Sequence, residues 1–79
     1  MKKEKILAKV KEVISKINGI SPNEIHPEYL LITELFLDET EVMLVIFEIE
    51  EIFGCCISHS EYEEILTVEN LVDLISIKI

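Results

Sequence analysis

The stretch from Leu35 to Phe53 constrains this chain more than any other. It reads Leu-Phe-Leu-Asp-Glu-Thr-Glu-Val-Met-Leu-Val-Ile-Phe-Glu-Ile-Glu-Glu-Ile-Phe. Asp38 is placed to cap the free amides of a first helical turn, and Glu41 is placed to reach back to the amide of Asp38 itself. Neither Gly nor Pro interrupts the helix formers until Gly54, a residue suited to a helix end. Val42, Val45, Ile46, Ile49 and Phe53 follow the spacing of a buried helical face. Glu41, Glu48 and Glu51 fall on another face. The reading is a long helix over 39–53, acidic at its start and along one side, entered from an apolar loop.

A chain of 79 residues makes one small domain, 1–79. At this size roughly 60–65% of the unfolded surface is buried, which leaves no space for a second core or a large enclosed active site. Acidic residues interrupt every apolar run below the ~18 residues that span a membrane. The lysines of the N-terminal segment are followed by Lys9, Lys11 and Glu12, which argues against a signal peptide. The expected location is cytoplasmic.

Net charge is −9, unevenly distributed. Residues 1–16 hold six Lys and two Glu, a surplus of +4, whereas residues 17–79 hold fourteen acids and one base, −13. Such an acidic body repels nucleic-acid phosphates, so no nucleic-acid partner is expected. It attracts basic patches on proteins. The two cysteines, Cys55 and Cys56, are adjacent. A bridge between them would close a strained ring and staple nothing, so two free thiols in a reducing compartment are expected.

In chain order, residues 3–17 read as a first helix with the stripe Ile6, Val10, Val13, Ile14 and Ile17, stopped by Asn18-Gly19. Its lysine face has two readings: a solvated surface, or a basic patch that meets an anionic membrane or the acidic body of another copy. Residues 18–38 form a long connection with one short turn at Ser21-Pro22-Asn23-Glu24. Its apolar residues, Ile20, Ile25, Tyr29, Leu30, Leu31, Leu35, Phe36 and Leu37, are expected to pack over the core. After the long helix, Glu61–Ile65 reads as a short helix capped by Ser60, and Thr67 caps a last helix with the stripe Val68, Leu71, Val72 and Ile75. The expected fold is all-α: a small bundle of three main helices plus one short helix, with a long loop between the first and second.

On these residues the chain resembles the acyl carrier proteins. Asp38 and Phe53 fall at the start and aromatic end of that family's second helix. Gly19-Ile20, Ile57 and Ile65-Leu66-Thr67-Val68 match its features in order and spacing. In the family a Gly-x-Asp-Ser-Leu motif opens this helix, and its Ser is esterified to 4'-phosphopantetheine. Here the motif reads Phe36-Leu37-Asp38-Glu39-Thr40. Glu39 stands where the attachment Ser would be.

A carboxylate does not form the stable phosphodiester that the cofactor needs. Thr40 has a hydroxyl, but a shift of one residue turns it by roughly 100° around the helix. No cofactor is therefore expected; 4'-phosphopantetheine returns only if the site is an atypical one. Glu39 has two readings: stabilisation of the helix N-terminus by a negative charge, or imitation of a loaded carrier's charge for a partner.

The resemblance implies that the second helix meets biosynthetic enzymes. Glu41, Glu50 and Glu51 match acidic positions of the family, and Leu44 replaces an acid. Leu44 and Phe47 lie outside the core stripe, an apolar group flanked by acids. The candidate partner-binding residues are Glu39, Glu41, Leu44, Phe47, Glu48 and Glu51, facing basic or apolar patches on proteins of fatty-acid, polyketide or related biosynthesis. Burial of these apolar residues by the loop, or by self-association, is the competing reading. A self-associating bundle would cover Phe36, Leu37, Leu44 and Phe47.

Cys55, Cys56, His59 and His26 lack the spacing of known zinc sites, so no metal is expected. There is no catalytic Ser/His/Asp order and no Gly-rich phosphate loop, and the chain is not read as an enzyme.

Overall fold

The structure, a computed structural model, describes residues 2–79. Helix α1 spans Lys3–Asn18 and buries Ile6, Val10, Val13 and Ile14, with Ile17 half-buried. It runs one residue past the expected end. Gly19 closes it at φ 79°, its N–H donating to the Ser15 carbonyl at 2.8 Å. A side chain is disfavoured at that φ, which is why the helix stops at this glycine.

The long connection is ordered by its own bonds. Pro22–Glu24 form a single 3-10 turn; Ser21 precedes it, but its side chain caps nothing. Further on, the loop zips onto the link between the last two helices. The Leu31 N–H donates to the Leu66 carbonyl at 3.0 Å, Val68 N–H to Tyr29 at 3.1 Å and Glu69 N–H to Pro27 at 2.8 Å. Leu30 and Thr67 form an isolated antiparallel bridge at the same place.

Of the loop's apolar residues, Ile25, Leu31, Leu35 and Leu37 are buried, while Ile20 and Tyr29 are half-buried. Leu30 and Phe36 depart from the expected packing and are exposed. Leu30 lies in the bridge to Thr67 and Leu31 opens the turn that follows, so the two side chains part and only Leu31 enters the core. Phe36 sits at φ 58°, between Leu35 and Leu37, each only 1% exposed. The left-handed turn lets both leucines enter the core and leaves the ring between them outside.

Helix α2 spans Glu39–Phe53, bounded by Asp38 and Gly54 as expected. Val42, Val45, Ile46 and Ile49 are buried, and Phe53 is half-buried. Helix α3 spans His59–Glu63, two residues earlier than expected, and its cap is Ser58 rather than Ser60. The Ser58 hydroxyl accepts from Glu61 N–H at 3.2 Å, and the Glu61 carboxylate accepts from Ser58 N–H at 2.9 Å. Helix α4 spans Val68–Lys78; Thr67 caps it through the Asn70 N–H at 3.0 Å.

Helix α1 packs against both α2 and α4. Ion pairs join the helices at the surface: Lys3 to Asp73 on α4, Lys16 to Glu48 on α2, and Lys78 to Glu61 on α3, each at 2.9 Å. Much of the lysine face of α1 is thus solvated or paired within the chain. Among the described residues the fully buried set is entirely aliphatic, and no charged or polar residue is buried with it. No described helix is long and apolar enough to cross a membrane.

Candidate functional site

The start of α2 is fixed by two reciprocal bonds. The Asp38 carboxylate accepts from Glu41 N–H at 2.8 Å, and the Glu41 carboxylate accepts from Asp38 N–H at 3.0 Å. This satisfies amides that the helix cannot pair itself. It also occupies one oxygen of Glu41 in capping, leaving Glu39 as the first helical residue with an exposed side chain.

Glu39 stands at the rim of an apolar cavity of about 360 Å³ between the loop, α2 and α3. Leu30, Leu31, Ile32, Val42, Tyr62, Ile65 and Leu66 supply its apolar wall, and Glu63 is the other charged residue there. A second hollow of about 250 Å³ lies along α2 between Met43, Ile46, Phe47, Ile57, His59 and Tyr62. Tyr62 borders both.

On its outer side α2 shows Leu44 at 49% and Phe47 at 55% exposure, so the loop does not cover them. Leu37 is different: it is core, and it has no surface to give to association. The acidic residues divide by what holds them. Glu48 pairs with Lys16 of α1, and Glu50 accepts from the Ile57 N–H at 2.7 Å, bracing the turn after α2. Glu51 is exposed beside Phe47, Cys55 and Cys56. The structure therefore groups Leu44, Phe47 and Glu51 on one open face, sets Glu39 at the helix mouth, and commits Glu41 and Glu48 to bonds within the chain.

Phe36 is absent from the candidate partner residues read from the sequence, yet it is 80% exposed. Met43, next to Leu44, is exposed as well. The signal for Phe36 was the aromatic at a position suited to glycine; it becomes readable once the positive φ is known.

The Cys and His residues are not gathered. Cys55 is half-buried and Cys56 exposed, both as free thiols. Burial pushes the Cys55 thiol up from its ordinary value, and the Glu50 carboxylate adds to that shift. His26 packs edge-on against Tyr29, while His59 lies 3.2 Å from Glu63. Among the described residues no cluster of metal-binding side chains forms.

No protein-family model matches the chain. Whole-chain comparison does find relatives. The acyl carrier protein of Rubrobacter xylanophilus is 36% identical over 75 residues, covering 95% of this chain and 93% of that protein. That of Petrotoga mobilis is 33% identical over all 79 residues and 93% of its own length. A solved structure of the acyl carrier protein from Enterococcus faecalis superposes with a TM-score of 0.83, at 32% identity and full coverage of both chains. These relatives are named as carriers rather than catalysts, and by that kinship the chain is not an enzyme. Sequence similarity along nearly the whole length and the same arrangement of helices agree: this chain belongs to the acyl carrier protein family.

Proposed function

We propose that this chain is an acyl-carrier-like domain that holds no 4'-phosphopantetheine and serves as a non-catalytic protein-binding module. Its setting is cytoplasmic fatty-acid, polyketide or related biosynthesis. Glu39 carries this reading. It is the residue directly after the cap of α2, the family's attachment position, and its exposed side chain ends in a carboxylate. Attack by a carboxylate on the pyrophosphate of coenzyme A would give an acyl phosphate, which water cleaves, rather than a lasting phosphodiester. Thr40 is exposed too, but it points roughly 100° away around the helix.

Loss of the cofactor leaves the scaffold and its outer face. Leu44, Phe47 and Glu51 form the open part of the binding surface, and Glu39 adds a permanent negative charge at the helix mouth. Glu41 and Glu48 contribute charge from bonded positions at the edge. A partner that fits has an apolar patch and basic side chains.

Intact mass spectrometry after incubation with coenzyme A and a broad-specificity phosphopantetheinyl transferase tests the reading. The native chain is expected to gain no mass, and Glu39→Ser to gain one pantetheinyl group. An adduct on the native chain overturns the reading in favour of a working carrier with an atypical attachment residue.

A further inference from the structure

Phe36 combines two unfavourable features at one residue. Its backbone is at φ 58°, where a residue with a β-carbon is strained, and its ring is 80% exposed to water. Glycine would remove both. The neighbours do not need the ring: Leu35 and Leu37 are already seated in the core, and Phe36 is not among the residues packed against it. Strain and exposure that serve no packing inside the molecule point outward.

The surroundings state what the ring can meet. Glu34, Asp38 and Glu39 lie within a few residues of it, all exposed, and among the described residues none is in an ion pair. Glu34 and Asp38 accept from the backbone N–H groups of Leu30 and Glu41, and with Glu39 they leave a negative rim open to basic side chains of another molecule. A second copy of this chain is poorly suited: the apolar hollows along its α2 carry Glu39, Glu63, Glu50 and Glu51 and no Lys. Each copy also carries −9.

We infer that Phe36 is an aromatic anchor that enters an apolar pocket ringed by Lys or Arg side chains on a different protein. The inference rests on the protein-binding reading above and adds the residue that sets which partner fits. The backbone that carries the ring is already fixed between two buried leucines, so docking has only the side chain to order, which favours affinity. The acids around it select a basic rim and reject an acidic one.

A defined probe makes this measurable: a labelled helical peptide of Leu and Lys in an amphipathic repeat, with a Leu/Glu peptide of the same pattern beside it. Fluorescence polarisation would be read for native protein, Phe36→Gly, and the pair Leu44→Ala and Phe47→Ala, with thermal unfolding of each. The native chain is expected to bind the Leu/Lys peptide and not the Leu/Glu one. Phe36→Gly is expected to weaken binding by about tenfold or more, the scale of losing one aromatic anchor, with Tm unchanged or raised. That combination separates the anchor from a structural residue, since a packing role would lower Tm.

Binding unchanged in Phe36→Gly, a lowered Tm, or equal binding of both peptides overturns the inference. If Phe36→Gly binds normally while Leu44→Ala or Phe47→Ala weakens binding, the α2 face stands as a binding surface without Phe36. If none of the variants matters, the binding-face reading falls with it.

Discussion

Asp38 holds the first turn of α2 through a carboxylate that accepts from the Glu41 N–H, and its own N–H is taken by Glu41 in return. Asp38→Ala removes the acceptor and leaves that amide to water. The expected cost is about 1 kcal/mol of stability. For a chain of this size that corresponds to a fall in Tm of roughly 4–8 °C, readable by calorimetry; an unchanged Tm would show that the cap contributes nothing. This pair was legible in the sequence, because a capping box acts over three residues and needs no other part of the fold. Phe36 was only half legible. Its apolar character suggested packing over the core, and nothing in the linear order shows that its backbone turns left-handed between two leucines that enter it. The exposed Leu30 was hidden for the same kind of reason: its neighbour Leu31 takes the inward side.

At the scale of elements, α3 is the helix with the least of its own to hold it. It has five residues and no buried side chain. Its ties are half-buried Tyr62 against the core, the Ser58–Glu61 box and the Lys78 ammonium on Glu61. The Ser58 N–H, and then Lys78, hold the Glu61 carboxyl down from its ordinary 4.5 to about 2. A carboxyl depressed on folding stabilises in full above its unfolded value and loses that contribution as pH falls through the folded one. The α3 cap is therefore expected to hold above about pH 4.5 and to loosen progressively toward pH 2. Amide shifts of Ser58 and Glu61 in an acid titration follow this directly, and Glu61→Gln is expected to abolish the pH dependence. A Ser58 amide that titrates only above pH 4.5 would contradict it.

The same element explains why the cap is Ser58 and not the Ser60 read from the sequence. Ser60 and Glu63 match the capping pattern as well as Ser58 and Glu61 do. Glu50 fixes the Ile57 N–H, and Lys78 reaches Glu61, so contacts from α2 and α4 select the earlier frame. By contrast α2, bounded by Asp38 and Gly54, was fully legible, since both of its stop signals are local.

Across the whole molecule, the three main helices were legible from three apolar stripes and their start and stop signals, and α3, which buries no side chain, was read from a capping pattern alone. The zipper between loop residues 27–31 and residues 66–69 was not legible, because it joins backbone groups far apart in the chain and leaves no trace in side-chain pattern. The exposed Leu44 and Phe47 keep one competing architecture open to measurement. Sedimentation velocity over a range of concentrations is expected to show a monomer, given −9 on each copy. A concentration-dependent dimer that Leu44→Glu dissolves would replace the binding module by a self-associating bundle.

The segregation of charge has one more effect. Six of the seven lysines lie in residues 1–16, nearly all of them on α1, which packs against the buried side of α2. Positive charge thus stands behind the helix and negative charge along its open side, giving the molecule an electric dipole. In the field of a positively charged surface such a body feels a torque before it touches anything. It turns α2 forward and α1 away, so much of the orientational search is over by the time two surfaces meet.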